Sequence, residues 1–562
     1  MQVDRWRDDV VPFPPALAER FRAAGCWADR TIGEQLHRVA AEVPDASAIM
    51  TATSRHTFHE LDEASDRIAA GLIQVGFQPG EAVLLQVENT AATIFAWYGL
   101  LKAGLIPVAT LASHRGHEIG EIGKLTEAAG HLVQADHRRF DLVNFAHRMA
   151  HESGRPRRIL TLGAQSATTD TIRIEDLGRD IGASDARRLV EKVAAGIDGD
   201  DVAVFQLSGG TTSTPKVIPR LHDDYWYNAA AYARRLGWES STRVAHVLPV
   251  IHNAGIVLGV HAAHSVGAAV VLSSPDPDEL LPLMATAGVT DIVLYPALAL
   301  EWKDHPMFGA ALAGLQRVVL TGTKVSDQSF QLFEDRGIRV LGLYGAGEGL
   351  VMVTDPDDPP AVRQHALGSP LSELDDVRVL RLGSEEPAPD GTPGELCFSG
   401  PYTLRGYLRS PERNAEAFTS DGLYRSGDLV TVRTIAGMRC LTFEGRAKDL
   451  VNRGGEKINS AEIEGLVLQM PGVARAALIP VPDVRLGERA CLVLEMLGEA
   501  PAPTLADVTA FLQERGVAKF KWPERLEIMD ELPQTRVGKI DKRSLMEQIT
   551  APATTSLPVG AS

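Results

Sequence analysis

A loop rich in glycine and hydroxyl side chains, LSGGTTSTPK, follows an apolar run at residues 207–216. Its adjacent glycines let the backbone turn sharply and bring N–H groups close to an anion, while the hydroxyls and the lysine can bind phosphate oxygens. It is not the GxxxxGK[ST] loop of P-loop NTPases, because Pro215 stands where the second glycine belongs. A polar surface turn is the alternative. The predicted phosphate-contacting residues are Ser208, Gly209, Gly210, Thr211, Thr212 and Lys216.

Four further segments place charged residues in or beside glycine-rich turns. In LYGAGEG, Glu348 follows a strand and offers a hard carboxylate that could hold Mg²⁺ beside phosphates. In YRSGDL, Asp428 is predicted to lie in a tight turn and to accept hydrogen bonds from ribose hydroxyls. EGRAKDLVNRGGEK presents cations around a glycine pair, and PQTRVGKIDK carries Lys539 after a glycine. Each segment alone can be a solvated turn, but their joint order indicates a nucleotide site.

The composition limits the classes of partner. A formal net charge of -17 argues against an extended surface for nucleic acid or anionic membranes. The four cysteines are scattered without a CxxC pair, which predicts neither a zinc site nor a disulfide framework. The charged, proline-broken start MQVDRWRDDVVPFPP lacks the apolar core of a signal peptide. We therefore expect a cytoplasmic protein that has no nucleic-acid or membrane partner.

One apolar stretch, residues 91–112, could suggest a membrane span. Lys102 lies at its centre, and a lysine at mid-membrane costs about 2.5–3.5 kcal/mol. We therefore predict a buried helix followed by a buried strand, GLIPVA.

The order of elements predicts an α/β fold. From residue 201, β-rich runs such as VAVFQL and RVVLT alternate with helical patterns, as in the N-terminal third, which implies a largely parallel, helix-flanked sheet. After about residue 370, short runs between Gly/Pro/Asp turns predict a small antiparallel sheet. A last α+β block has a helix that opens at Asn459, with Glu462 in a capping-box-like position. The final twelve residues, APATTSLPVGAS, are predicted to be disordered.

Taken together, these motifs resemble the adenylate-forming superfamily of acyl-CoA synthetases, peptide-synthetase adenylation domains and firefly luciferase. Within it, the chain from about residue 30 to residue 548 resembles the aryl-acid–AMP ligases that load 2,3-dihydroxybenzoate or salicylate onto carrier proteins in siderophore-type pathways. The segments that carry this likeness are SGGTTSTPKVIPRLHDDY, LPVIHNAG, GEGLVMVTDPDDP, GPYTLRGY and EGRAKDLVNRGGEKI.

The resemblance implies a two-step reaction and a two-domain architecture. A carboxylate would attack the α-phosphate of ATP with Mg²⁺, and a phosphopantetheine thiol (or CoA) would then displace AMP. A large domain at residues 1–448 would hold two mostly parallel sheets, a small antiparallel barrel, and the ATP and aryl-acid sites. A small mobile α+β domain at 449–550 would rotate about Asp449 between the steps, leaving a tail at 551–562.

The family's roles are carried over to matching positions of this chain. Lys539 would bridge the carboxylate and the α-phosphate, Glu348 would bind Mg²⁺, Asp428 the ribose, and Arg446 the nucleotide. The loop Ser208–Lys216 would wrap the β- and γ-phosphates. The adenine-contacting positions would be Gly322, Thr323, Gly342, Leu343 and Tyr344, and those of the hinge and thioester step Asp449, Gly454, Gly455 and Lys457.

The implied acid pocket departs from the dihydroxybenzoate pattern. His252 would lie near the carboxylate, as a catalytic residue, and Asn253 would bond an ortho hydroxyl, although a structural asparagine in a turn is the alternative. Ala254 replaces an aromatic residue, Leu258 a small polar one, and Tyr295 is bulkier than usual. Gly347 stands where these enzymes have alanine, and Ser213 replaces a glycine of the phosphate loop. We predict an ortho-hydroxy or ortho-amino aromatic acid, including substituted or bicyclic ones, rather than 2,3-dihydroxybenzoate itself.

Two other functions stay open at this point. One is a free acyl-CoA ligase that uses CoA directly, and the other is a catalytically silent binding protein. The partners expected are an aromatic acid and an aryl or acyl carrier protein, with the chain a monomer or a homodimer.

Overall fold

The computed structural model describes most of the 562-residue chain. The described ranges are 6–163, 170–208, 216–322, 325–453, 456–483, 487–498, 500–515, 517, 519–535 and 539–550. The predictions for Gly209 to Pro215, for Thr323, for Gly454 and Gly455, for the Lys457 side chain and for the tail at 551–562 lie outside the described residues.

The strands are mostly short apolar runs, as expected for sheets covered on both faces. In chain order they are β1 Ser47–Met50, β2 Arg55–Thr57, β3 Ala82–Gln86, β4 Ile106–Val108, β5 Gly130–Gln134, β6 Arg158–Leu162, β7 Ile172–Arg173, β8 Val202–Leu207, β9 Val217–Leu221, β10 Arg243–His246, β11 Ala269–Leu272, β12 Asp291–Leu294, β13 Arg317–Leu320, β14 Arg339–Ala346, β15 Leu350–Val353, β16 Ser369–Pro370, β17 Asp376–Leu380, β18 Gly394–Ser399, β19 Tyr424–Ile435, β20 Met438–Arg446, β21 Leu450–Arg453, β22 Glu456–Asn459, β23 Val473–Asp483, β24 Gly487–Met496 and β25 Arg525–Ile528.

Several helices begin at a side-chain cap; Thr57, for example, forms a reciprocal capping box with Glu60. The α-helices are α1 Pro15–Ala23, α2 Ile32–Glu42, α3 Phe58–Gln74, α4 Ala91–Lys102, α5 Gly116–Leu125, α6 Leu142–Glu152, α7 Ala183–Ala194, α8 His222–Arg235, α9 Asn253–Gly255, α10 Ala262–Ser265, α11 Pro277–Ala287, α12 Pro296–Trp302, α13 Phe308–Ala311, α14 Asp327–Glu334, α15 Pro360–His365, α16 Pro411–Ala417, α17 Ser460–Val467, α18 Leu505–Glu514 and α19 Lys542–Thr550. Short 3₁₀ turns lie at Ile174–Asp176, Ala447–Asp449 and Lys519–Lys521, and a π-helix at Ile256–His261.

Within the described residues the strands form four sheets. A nine-stranded sheet has the order β16-β15-β14-β13-β12-β10-β11-β1-β2, and a seven-stranded sheet the order β7-β6-β5-β3-β4-β8-β9. Both are mainly parallel, with antiparallel pairs at their edges. The predicted α/β fold class, with a large N-terminal part of parallel sheets and a smaller C-terminal part, is confirmed.

The antiparallel region differs from a barrel. Strands β17 to β20 form an open four-stranded sheet, and no pairing of β17 with β20 is seen among the described strands. The strands β19 and β20 form one long hairpin, which extends the sheet in one direction instead of closing it. The barrel expectation is therefore wrong, whereas the antiparallel pattern is correct.

The apolar stretch around Lys102 is a buried helix followed by a buried strand, α4 and β4, as predicted. The Lys102 ammonium is fully buried and lies 2.6 Å from Asp62 Oδ1 and 2.6 Å from Asp66 Oδ1 on α3. Burying a charge in this way requires such partners. No helix within the described ranges is long and apolar enough to cross a membrane.

The C-terminal part contains a five-stranded sheet of β21 to β25 with its own apolar core. Asn459 caps α17 by accepting from the Ala461 N–H at 3.0 Å. Glu462, expected to complete a capping box, instead accepts from Lys521 Nζ at 2.7 Å. That expectation was wrong because a cation from a distant segment takes the carboxylate.

Strand direction creates the site. The adjacent strands β10, β12, β13 and β14 are parallel, so their carboxyl ends meet at one edge of the nine-stranded sheet. In open α/β sheets this edge is where ligands bind. The segments that follow these strands carry the predicted acid-pocket residues and Glu348.

Candidate active site

Glu348 lies at the tip of the β14–β15 hairpin, where Ala346 pairs with Leu350. Its carboxylate accepts from the Tyr407 hydroxyl at 2.8 Å, and its carbonyl from the Leu404 N–H at 2.8 Å. The next residue, Gly349, has φ of 116°, and a Cβ there would lie 1.8 Å from the Tyr402 carbonyl oxygen. Only glycine fits this approach, which fixes the main chain immediately after Glu348.

Asp428 lies in strand β19 and not in a tight turn, so that prediction was wrong. Gly427 has φ of 69°, and the β18–β19 register shifts at this point, which is a bulge. The bulge re-aims Asp428, whose Oδ1 lies 3.0 Å from Arg446 Nε on β20. Its Oδ2 accepts from the Tyr344 hydroxyl at 2.7 Å. The predicted ribose and nucleotide residues are therefore adjacent.

Lys539, in the C-terminal part, lies near the Asp428–Arg446 pair. Although the residue is exposed overall, partial burial of its ammonium lowers its pKa, the charge of Arg446 lowers it further, and Asp428 opposes the shift. The same ammonium also helps to lower the pKa of His252, after burial as the larger cause. Lys539 thus interacts electrostatically with groups on β19, on β20 and in the segment between β10 and α9.

His252 and Asn253 begin the acid-side segment. His252 Nδ1 accepts from the Ala254 N–H at 3.3 Å. With its pKa lowered, the imidazole is neutral at pH 7, and this contact leaves its proton on Nε2. Asn253 Oδ1 is buried and has no hydrogen-bond partner among the residues that the structure describes. A buried unpaired amide oxygen is costly unless a ligand satisfies it.

The remaining pocket positions follow the neighbouring strands. Gly322, after β13, has φ of 86°, and a Cβ there would lie 2.6 Å from Tyr295 Cδ1 and Cε1. The Tyr295 ring therefore covers this glycine face. Leu258 is buried in the π-helix, and Ala254 packs at the edge of the core.

The adenine-type positions belong to the sheet itself. Gly342 N–H donates to Thr354 Oγ1 at 3.0 Å, and the Leu343 carbonyl accepts from Thr321 Oγ1 at 3.2 Å. Arg220 is fully buried and its Nη1 donates to the Gly347 carbonyl at 3.3 Å. These bonds tie the β14 segment to its neighbours.

The ends of the phosphate-type loop are closed by hydrogen bonds. Ser208 N–H donates to the Lys216 carbonyl at 2.9 Å, and Lys216 N–H to Ser208 Oγ at 3.2 Å. Lys216 Nζ lies 3.5 Å from the Tyr407 hydroxyl and 4.5 Å from that ring's centroid. Further along the chain, the Asp449 carbonyl accepts from Ser460 Oγ at 2.6 Å.

Sequence reasoning missed four residues that hold this site. Gln206 Nε2 donates to the Ile251 carbonyl at 3.0 Å, and Asn89 holds Leu248 and Val250 through 2.8 Å bonds. A polar glutamine inside the apolar run VAVFQL was a usable signal. The others are Asn89, which no local pattern distinguishes, and Arg220 and Tyr407, which lie in the family-like segments SGGTTSTPKVIPRLHDDY and GPYTLRGY.

The residues fit a magnesium nucleotide. The described residues contain no cluster of three or more His, Cys, Asp or Glu that could hold a metal by themselves. Mg²⁺ is commonly bound through one or two carboxylates plus substrate phosphates, and Glu348 offers such a carboxylate. With Asp428 as acceptor and Lys216 and Lys539 as cations, the arrangement can bind a polyphosphate and a ribose.

Known proteins share this architecture. A family model described as AMP-binding enzyme matches residues 36–408, and one described as AMP-binding enzyme C-terminal domain matches 462–539. The chain is 36% identical over 554 residues to a salicylyl-CoA synthase / salicylate adenylyltransferase of a Streptomyces species, covering 97% of this chain and 99% of that protein. It is 37% identical over 547 residues to the 2,3-dihydroxybenzoate-AMP ligase of Bacillus subtilis (strain 168), covering 96% and 97%. The apo structure of MbtA from Mycobacterium smegmatis matches with a TM-score of 0.72 and 34% identity, covering 96% of this chain and 99% of that one.

Proposed function

The chain belongs to the AMP-binding enzymes and is an ATP-dependent adenylating ligase, and from that premise we propose the acid and the acceptor on which it acts. It activates an ortho-hydroxy or ortho-amino aromatic carboxylic acid as the acyl-adenylate, releasing pyrophosphate. It then transfers the acyl group to the phosphopantetheine thiol of an aryl or acyl carrier protein. The proposal places this enzyme in siderophore or nonribosomal peptide biosynthesis in the cytoplasm.

The observation that carries this proposal is the electrostatic coupling of Lys539 to Asp428, Arg446 and His252, of which Asp428 and Arg446 lie 3.0 Å apart (Oδ1 to Nε). In the first step a carboxylate oxygen of the acid attacks the α-phosphorus. The new O–P bond forms as the α–β phosphoanhydride bond breaks, and the electron pair leaves with pyrophosphate. Because two anions must approach, a cation positioned between them lowers the barrier, and Lys539 would supply it.

The other groups hold the reactants. Glu348 would hold Mg²⁺ together with the phosphates, and the ion when bound neutralises charge on the departing pyrophosphate. Asp428 would accept from the ribose hydroxyls, and Lys216 would face the β- and γ-phosphates. Neutral His252 would donate from Nε2 to the acid carboxylate. In the second step the thiol sulfur would attack the carbonyl carbon, AMP would leave, and the thiol proton would be lost.

The expected acid is inferred from the pocket residues. The unpaired Asn253 Oδ1 would accept from an ortho hydroxyl or amino group of the ring. Leu258 offers no partner for a second hydroxyl, and Ala254 leaves room where an aromatic side chain would limit ring size.

ATP–pyrophosphate exchange with a panel of acids tests the substrate. The panel contains benzoate, salicylate, 2,3-dihydroxybenzoate, aminobenzoates, picolinates, quinaldates and a medium-chain fatty acid. We expect strong exchange with an ortho-substituted aryl acid, and in Asn253→Leu a loss of about ten-fold in its preference over the acid without that substituent. Exchange with the fatty acid alone would overturn the aryl-acid assignment.

Direct use of CoA is the second candidate, favoured by the name of the Streptomyces relative, a salicylyl-CoA synthase. Thioester formation with CoA and with a phosphopantetheinylated carrier protein, measured side by side, separates the two. Faster transfer to CoA than to every carrier tested would replace the carrier assignment.

The domain assignment belongs to this proposal as well. We propose a large domain at 1–448 and a small one at 449–550 that rotates about Asp449 between the two steps, bringing Gly454, Gly455 and Lys457 towards the thiol.

A further inference from the structure

Tyr407 lies at the junction of three parts of the nucleotide site. Its hydroxyl is 2.8 Å from Glu348 Oε1, 2.8 Å from the Tyr424 hydroxyl and 3.5 Å from Lys216 Nζ. Lys216 Nζ also lies 4.5 Å from the centroid of the same ring. One phenol thus contacts the carboxylate expected to hold magnesium and the lysine expected to hold phosphate.

The direction of these hydrogen bonds follows from the groups. A carboxylate can only accept, so Tyr407 donates its proton to Glu348, and its oxygen accepts from Tyr424 and Lys216. Hydrogen bonds to a charged group are about twice as strong as neutral ones.

The position of the ring is fixed independently of any ligand. Tyr407 is 1% exposed and packs in a cluster with Ile218, Leu350 and Phe398. Its N–H donates to Asn414 Oδ1 at 2.8 Å, and its carbonyl accepts from Asn414 Nδ2 at 3.0 Å. A main chain held on both sides in this way, together with the packed ring, fixes where the hydroxyl lies relative to Glu348 and Lys216.

The groups that Tyr407 contacts come from different sheets. Lys216 precedes β9 of the seven-stranded sheet, and Glu348 is at the β14–β15 tip of the nine-stranded sheet. We propose that Tyr407 is a positioning residue that orients the Glu348 carboxylate for the metal and keeps the Lys216 ammonium beside it, so that the metal and this lysine bind the same phosphates. This inference rests on the proposed function, because it assumes that the ligand is a magnesium nucleotide.

Calorimetric titration of the full chain with ATP, once with excess Mg²⁺ and once with EDTA, tests this role without turnover. Tyr407→Phe keeps the ring below the Lys216 ammonium but removes the hydroxyl that contacts Glu348 and Lys216. We expect metal-free ATP affinity to change less than about two-fold, while the gain in affinity that Mg²⁺ brings falls by about ten-fold.

Tyr402→Phe is the matched control. Tyr402 is equally buried in the same segment, but its hydroxyl donates to Asp375 and not to Glu348. In this variant, Mg²⁺ should increase the affinity for ATP as much as it does in the wild type. If Tyr407→Phe does not fold, Tyr424→Phe removes the neighbouring hydroxyl, which bonds both Tyr407 and Glu348, and we expect the magnesium gain to fall in the same direction by about two-fold.

Three results would overturn the inference. In the first, the variants at Tyr407 or Tyr424 keep the wild-type magnesium gain. In the second, affinity falls equally with and without metal, which would mean a structural role alone. In the third, the wild type itself shows no magnesium-dependent ATP binding, which would overturn the proposed function and this inference with it.

Discussion

At the scale of single residues, the site depends on charges that must be held close together without neutralising one another. Asp428 contacts both Tyr344 and Arg446, and Lys539 is the cation that the C-terminal part contributes near this pair. Lowering of the Lys539 pKa by burial and by Arg446, with Asp428 opposing, is the signature of that position. Perturbed groups of this kind concentrate at functional sites.

Removing this cation should affect one half-reaction. In Lys539→Ala we expect pyrophosphate exchange to fall by about 10²–10³, because a preorganised charge at the reacting oxygens is lost. Transfer from isolated acyl-adenylate to thiol should fall much less. Lys542→Ala is the control, since that lysine pairs with Glu464 at 2.6 Å. An equal loss in both half-reactions would contradict the assigned role.

A second residue-scale prediction concerns pH. Burial raises the pKa of Asp375 to about 7, against the opposing bonds from Tyr402 and the Ser372 N–H. At pH values between 3.8, the usual pKa, and about 7, Asp375 is protonated in the folded protein but ionised in the unfolded chain. The free energy of unfolding is therefore highest at low pH and falls as the pH rises towards 7.

Asp375→Asn should remove this dependence. Measured by urea unfolding from pH 4 to pH 8, the wild type should lose stability relative to the variant, on the order of 1–3 kcal/mol. For Asp376→Asn, a change at the exposed neighbouring position, the free energy of unfolding should change with pH in the same way as for the wild type. A constant difference between wild type and Asp375→Asn would refute this explanation.

At the scale of elements, strand ends and the turns after them decide which side chains reach the pocket. The β13 strand ends before Gly322, whose positive φ brings the backbone under the Tyr295 ring that follows β12. The glycine after one strand therefore leaves room for an aromatic side chain that follows the neighbouring strand.

Gly322→Ala and Gly337→Ala separate backbone strain from this contact. Both glycines have positive φ, of 86° and 75°, but a Cβ at Gly337 meets nothing within 4 Å. Both variants should lose about 1–2 kcal/mol of unfolding free energy. Gly322→Ala alone should raise KM for the acid several-fold, because its Cβ displaces the Tyr295 ring. An unchanged KM would place that ring outside the acid pocket.

At the scale of the whole molecule, the C-terminal part lies against the large one through specific contacts. Asn459 Nδ2 donates to the Glu444 carbonyl on β20 at 2.7 Å, while its Oδ1 caps α17. If the C-terminal part rotates about Asp449, this bond belongs to the arrangement in which Lys539 reaches Asp428.

Asn459→Asp tests that coupling, because aspartate keeps the helix cap and loses the donor. We expect pyrophosphate exchange to fall by about five- to twenty-fold, with transfer from isolated acyl-adenylate unchanged. Asn459→Ser also keeps the helix cap but loses the amide donor to the Glu444 carbonyl. It should likewise lower pyrophosphate exchange and leave the transfer from acyl-adenylate unchanged. Thermal unfolding checks that the C-terminal part stays folded. Equal effects on both half-reactions would show that the bond does not distinguish the two arrangements.

The sequence by itself determined the elements and the inventory of reactive groups. Apolar runs such as VAVFQL and RVVLT formed β8 and β13, and the α4–β4 pair formed around Lys102 as predicted, because period and burial are local properties of the chain. The residues of the loop Ser208–Lys216, Glu348 and Lys539 could likewise be identified, because each stands in a short sequence motif.

Only the tertiary structure decided which of these groups meet. Three contacts join segments that are far apart in the chain: Tyr407 with Glu348, Tyr295 with Gly322, and Lys539 with Asp428. No local sequence pattern encodes such pairings. The strand position of Asp428 depends on a bulge against β18, and the partner of Glu462 on a lysine from a distant turn. The physical reason is that burial, charge and hydrogen-bond satisfaction are settled by packing, after the local elements have formed.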